Sequence, residues 1–139
     1  MNRNGNIYTF LYASIMVVIV AAILSVAAIS LKPFQKRNIE IEKKQNILAS
    51  VNITAPKNEV ETLYEQIIRQ AYVINSQGEI IADAEAFTVD MKKEHSKPAA
   101  ERLLPIYEAF LEPGGMKYIV PLYGTGLWGP IWGYLSFDS

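Results

Sequence analysis

The sequence predicts an α+β protein, with a single amino-terminal transmembrane helix followed by an incomplete, mainly antiparallel domain. Three observations carry this. An uncharged run of 25 residues, Ile7 to Leu31, stands near the start of the chain. One amphipathic helical pattern follows from Val60. Beyond it, short apolar stretches alternate with glycine- and proline-containing turns, the pattern of antiparallel strands. The expected division is a tail (cytoplasmic by the resemblance given below) and transmembrane helix over 1–31, a juxtamembrane stalk helix over 32–55 and the domain over 56–139.

At about 1.5 Å per helical residue, the first run extends roughly 37 Å, enough to cross a hydrocarbon core of about 30 Å with some tilt. Tyr8 and Tyr12 lie at one end, where amphipathic rings favour the interface, and Lys32, Lys36 and Arg37 close the other. A cleaved signal peptide has an apolar region of about 7 to 15 residues and a small-residue cleavage site; this run is longer and no A-x-A follows it, so a retained anchor is expected. Ser14, Ala21, Ser25 and Ala28 fall near one helical face, which suits either close helix packing or the ordinary composition of a span. Arg3 is the only basic side chain before the span, against Lys32, Lys36, Arg37, Lys43 and Lys44 after it. By charge bias alone the carboxyl side would face the cytoplasm.

After Pro33 the segment QKRNIEIEKKQNILASV is charged and compatible with helix. Phe34, Ile41 and Leu48 recur at seven and give a thin apolar stripe, as in a stalk or a strip resting on a partner. Asn58 and Glu61 resemble a capping pair. Val60, Leu63, Tyr64, Ile67, Ile68 and Ala71 then continue an amphipathic helix. AYVI and EIIA flank Asn75-Ser76-Gln77-Gly78, a hairpin with glycine where a positive φ is needed. A short strand over Phe87–Asp90, a charged loop over Met91–Lys97, a helical turn over Ala99–Leu103 and a strand over Ile106–Leu111 follow. After the turn Glu112-Pro113-Gly114-Gly115 come strands over Lys117–Tyr123 and Ile131–Phe137. The last of these runs to Ser139 without a closing element, so the domain reads as unfinished.

The chain has no cysteine, which excludes a disulfide framework, a thiol nucleophile and a thiolate metal centre. Its net charge of -1 gives no footprint for nucleic acid. The one histidine, His95, stands among Lys92, Lys93, Glu94 and Lys97 and reads as solvated rather than catalytic. Chemistry concentrates instead in YGTGLWGPIWGYLSFDS, where four of the eight glycines and both tryptophans lie between Gly124 and Gly133. Gly124-x-Gly126-x-x-Gly129 imitates a dinucleotide fingerprint. That fingerprint must open a helix, whereas Pro130-Ile131-Trp132-Gly133 alternates like a strand. Two readings stay open. Gly124 and Gly126 could form a hairpin turn with Trp128 and Trp132 filling a core; or the glycines could let backbone approach a ligand while an indole walls a planar ring.

Over its whole length the chain resembles the amino-terminal part of NqrC, a subunit of the Na+-translocating NADH:quinone reductase and a relative of the RnfG electron-transport subunit. The likeness is carried by LKPFQKRNIEIEKKQNILASV, AYVINSQGEI, KPAAERLLPIY and, most specifically, KYIVPLYGTGLWGPIWGYLSFD. It implies a flavoprotein subunit of the bacterial inner membrane, single-pass, with a periplasmic FMN-binding domain of which 56–139 is the first part. It also implies partner subunits that bind NADH and quinone, and no acid–base or nucleophilic residue of its own. Membrane lipid surrounds the span, and no nucleic acid is involved. Cofactor-binding residues carried over are Gly124, Gly126, Leu127 and Trp128: Leu127 and Trp128 flank the ring, Gly124 and Gly126 let the backbone come close, and Tyr123 is an addition. In that family FMN is linked through its phosphate to a threonine in an S-G-A-T motif. Thr9, Thr54, Thr62, Thr88 and Thr125 are the threonines here, and none stands in that motif. A chain truncated before the motif is therefore expected, inactive by itself. The alternative is a membrane-anchored, non-redox scaffold or assembly subunit, or a fragment lacking flavin.

Overall fold

In the computed structural model, which describes residues 5–139, the chain forms two compact units, one up to Glu40 and one from Ile41 onward. Arg3, which enters the charge argument above, lies outside the described residues.

The helix α1 covers Asn6–Ala49, so its first part makes up the first unit and its last turns belong to the second. Between Ile7 and Leu31 its apolar side chains stand exposed, and it is long and apolar enough to cross a membrane. Ser14 Oγ donates to the Phe10 carbonyl oxygen at 2.8 Å, which satisfies the one hydroxyl donor at that level without water. Pro33 lies inside the helix and has no N–H to offer the carbonyl one turn earlier.

The second unit is a sheet with one covered face. After α2 (Val60–Ile67) come β1 (Ile68–Ile74), β2 (Ile80–Ile81), a 3-10 turn at Ala86–Thr88, α3 (Met91–Ser96), a 3-10 turn at Ala99–Glu101, β3 (Leu104–Leu111), β4 (Gly115–Gly126) and β5 (Gly129–Asp138). The five strands lie in the order β2-β1-β3-β4-β5, every neighbouring pair antiparallel. This is the expected α+β class. Val73, Tyr107, Ala109 and Ile119 form the buried side, and Ile47 and Val51 from the end of α1 and the turn after it pack onto them. Leu48 joins Ala55 and Val60 in a second cluster. Of the segment expected to be a stalk, the part from Ile41 onward falls in the second unit: Ile47 and Val51, one helical turn apart, meet the sheet, and Leu48 meets the second cluster.

Four local expectations change. Asn58 does not cap α2; Glu59 occupies the cap without a side-chain bond, and the Pro56 carbonyl accepts from both Glu59 and Val60 N–H. The helix stops at Ile67, because Ile68 to Ile74 pair with Ala109 to Leu104 and the ladder overrides the helical spacing that runs on to Ala71. Phe87 lies in a 3-10 turn, not a strand, with its ring against Tyr64 at 6.2 Å. Met91–Ser96 is a helix, not a loop, since Asp90 Oδ1 accepts from the N–H of Lys92 at 3.0 Å and of Lys93 at 3.5 Å.

Candidate functional site

The glycine–tryptophan stretch forms the β4–β5 hairpin. The strands pair from Lys117 with Asp138 to Gly126 with Gly129, so Leu127 and Trp128 alone make the turn. The expectation of a turn at Gly124 and Gly126 is therefore corrected: Gly124 sits within the strand opposite Ile131, and Gly126 ends it. Gly129, at φ +142, takes the conformation that the tight closure demands. β3 pairs with β4 only from Gly115 to Ile119. Past that point β4 and β5 continue as a two-stranded arm, in which each cross-strand pair shares a face.

One face of the arm carries Tyr123 with Trp132 and Pro121 with Tyr134. Tyr134 continues into the core, its ring 6.4 Å from that of Tyr107. Tyr107 is fully buried and its hydroxyl donates to the Ala86 carbonyl at 3.1 Å. Burial pushes the phenols of Tyr64 and Tyr134 up to about 12, and that of Tyr107 upward as well. Tyr123 instead meets the ring of exposed His95 at 5.3 Å. Beside it a cavity of about 610 Å³ runs past the Asn75–Gly78 turn and Arg102. Its polar groups hold the loops: Arg102 Nε and Nη2 donate to the carbonyls of Lys97 and His95, both at 2.9 Å, and Ser76 Oγ donates to the Ala100 carbonyl at 2.8 Å. Glu94, buried at the base of α3, accepts from Lys97 Nζ at 2.8 Å and from Leu103 N–H at 2.9 Å. On the far side of the core, burial lowers the Lys43 ammonium, with Asp90 partly offsetting it, and its Nζ donates to the Phe87 carbonyl.

A shallow depression of about 400 Å³ on the arm is lined from both faces, by Tyr123, Trp132 and Tyr134 of the first and by Leu122, Gly124, Ile131 and Gly133 of the other. Gly124 and Gly133 are its floor, since a Cβ on either would meet nothing within 4 Å. Leu122 and Ile131 stand beside them, 52% and 65% exposed. Bare backbone between two apolar side chains is a surface on which a flat ring can lie at contact distance. The residues carried over from the sequence separate here. Gly124 belongs to this floor. Gly126 does not, because its missing side chain is replaced by Ile131, whose Cδ1 would lie 2.4 Å from a Cβ there. Leu127 and Trp128 are at the tip, 92% and 97% exposed. Trp128 fills no core, and Trp132, 56% exposed, does so only in part. Sequence reasoning missed Gly133 and Ile131, although their pairing with Leu122 and Gly124 follows once the turn is placed two residues later.

The floor fits the ring portion of an FMN. The phosphate finds no lysine or arginine between Leu122 and Tyr134 and no S-G-A-T threonine in the chain, so neither its charge nor a covalent link is met by the arm.

No family model matches the chain. The NqrC subunit of the Na(+)-translocating NADH-quinone reductase of Haemophilus ducreyi is 25% identical, over 97% of this chain and 58% of its own length. The subunit of the same name from Pseudomonas aeruginosa is 27% identical, over 99% of this chain and 60% of its own. Among solved structures, the NqrC subunit from Parabacteroides distasonis superposes with a TM-score of 0.69 at 38% identity, over 78% of this chain and 51% of its own. The chain thus spans little more than half the length of these relatives. In sequence and in sheet this chain is similar to the amino-terminal part of these NqrC subunits.

Proposed function

We propose that this chain is a membrane-anchored, FMN-binding electron-transfer subunit of a Na+-translocating NADH:quinone reductase, its domain on the periplasmic side of the inner membrane. The observation that carries the reading is the glycine floor on the β4–β5 arm, placed on a chain whose relatives bear that complex's name. FMN, when bound, accepts and releases single electrons. The chain's own residues bind and orient it. Gly124 and Gly133 give the backbone contact, Leu122 and Ile131 hold the ring edge, and Leu127 and Trp128 at the tip supply apolar surface for the ring or its surroundings. Gly126 serves by fixing Ile131. In this reading no described residue is assigned acid–base or nucleophilic chemistry, and NADH and quinone are bound by other subunits. The uncharged span contributes anchoring rather than an ion path.

The exposed tip also suits a non-redox scaffold, in which Trp128 meets a partner subunit. One experiment separates the two. The complex is purified through a tag on this chain, and its flavin content and subunit ratio are measured for wild type and Trp128→Ala. The redox reading expects flavin in the wild-type complex, with less of it, or a shifted flavin spectrum, in the variant. A complex whose flavin is unchanged while partner subunits are lost overturns it.

A further inference from the structure

The β3–β4 ladder stops partway along β4, and the register gives the reason. Tyr107 pairs with Ile119, so two residues further on Pro105 comes opposite Pro121. Both prolines are buried, and neither has an N–H to give the other strand. Beyond them the strands part. β3 stays with β1, Leu104 against Ile74, while β4 runs on with β5 alone among the described residues. The cavity of about 610 Å³ is the gap that this parting leaves, between Leu103 and Leu104 on one side and Pro121 to Tyr123 on the other. A proline pair thus builds the cleft into the sheet, and its volume falls in the range of small-ligand sites, about 300–1,000 Å³.

Most polar groups of its wall are already engaged. Asn75 Oδ1 accepts from the N–H of Gln77 at 3.0 Å and of Glu79 at 2.9 Å, which fixes the turn at one end. Glu94 is the one carboxylate in the lining, and Lys97 and the Leu103 N–H take it up. Arg102 differs. Its Nε–H and Nη2–H form one edge of the guanidinium and donate to the carbonyls of Lys97 and His95. The other edge, Nη1 with the second Nη2 hydrogen, makes no bond among the described residues, and Arg102 belongs to neither of their ion pairs. A guanidinium held along one edge and open along the other is prearranged to take a carboxylate in a bidentate grip. The rings of His95 and Tyr123, 5.3 Å apart, stand in the same lining, and Ile74, Leu104 and Pro121 make much of the rest apolar.

We propose that this cleft binds a small organic carboxylate with a flat apolar body, the carboxylate on the open edge of Arg102 and the body against His95 and Tyr123. Charge selects an anion, because the wall's carboxylate is paired within the wall and its guanidinium is not. The apolar lining selects against a bare inorganic anion, whose other oxygens would lose their water without replacement. The cleft shares only Leu122 and Tyr123 with the depression on the arm, and the proposal does not depend on flavin.

His95 is the only histidine of the chain, so its ring resonances report on the cleft without ambiguity. Benzoate is titrated into the flavin-free chain in detergent, with the histidine ring labelled and followed by NMR. The signals should shift saturably, with a Kd below about 1 mM. Benzyl alcohol, which keeps the body without the charge, and sulfate, which keeps charge without the body, should each bind at least about tenfold more weakly. Arg102→Gln removes the guanidinium, and Met91→Trp fills the cleft while leaving the Arg102 bonds to Lys97 and His95 in place. Each should weaken benzoate at least about tenfold, and Met91→Trp decides the matter if Arg102→Gln loosens the loops. A shift that does not saturate overturns the proposal, as does equal affinity for benzyl alcohol or sulfate, or benzoate binding that survives Met91→Trp. Displacement of benzoate by an equal concentration of FMN overturns it too, because the cleft would then be part of the flavin site.

Discussion

A Cβ placed on Gly126 would lie 2.4 Å from Ile131 Cδ1 and 2.7 Å from its Cγ1, while one placed on Gly124 meets open space. The two glycines of one short motif therefore do different things. Gly126→Ala must push Ile131 off its seat and crowd the Gly129 carbonyl, 3.1 Å away. Overpacking of this size costs about 1 kcal/mol, and thermal unfolding of the domain should show a lower Tm. Gly124→Val adds a β-branched residue inside a strand, which the sheet accepts readily. It also covers the floor. FMN titration followed by flavin fluorescence should therefore show at least about tenfold weaker binding, worth roughly 1.4 kcal/mol, with Tm unchanged or raised. Weakened binding together with a lower Tm would point to misfolding of the arm rather than a blocked floor.

Ile47 is fully buried between the end of α1 and the sheet. If the last turns of α1 are an element of the domain, Ile47→Ala should destabilise it by about 2 to 4 kcal/mol; a free stalk would show no change in denaturant midpoint. The distinction was hard to read from sequence, because Ile47 and Val51, which meet the sheet, are embedded in a charged segment and lie off its sevenfold stripe of Phe34, Ile41 and Leu48. Local signals were legible elsewhere. Gly78, at φ +85, marks the β1–β2 turn, and the strand alternation around Pro113–Gly115 marks the β3–β4 turn. What failed were boundaries set by distant partners. Helical spacing runs unbroken from Val60 to Ala71, and only the ladder to β3 explains why Ile68 leaves the helix. In the candidate site the strand–turn–strand was legible but its register was not. Glycines at 124, 126 and 129 permit several turns, and the pair chosen, Gly126 with Gly129, moves Leu127 and Trp128 from the floor to the tip.

The two units of the molecule respond to alkali in different ways, and that difference is measurable in one experiment. The first unit carries an apolar run with no charged residue between Ile7 and Leu31, so its hold on a membrane depends on no ion pair that alkali could break. The second holds Tyr64 and Tyr134 with phenols raised to about 12 by burial, and Tyr107 raised as well. An unfolded tyrosine ionises near about 10. Because the folded values lie above the unfolded one, these residues contribute stability that is fully present below about pH 10 and is lost as the pH rises toward and through 12. Membranes bearing the chain, washed at about pH 11 to 12, should retain it in the pellet as an integral protein. Over the same range the near-ultraviolet signal of the domain should collapse, together with the appearance of the last share of the phenolate absorbance, that of three of the eight tyrosines. A chain released by the wash would count against the span. A phenolate absorbance that accounts for all eight tyrosines by about pH 11, with the domain still folded, would mean that the three phenols are open to solvent and that the sheet's covered face is not packed as described.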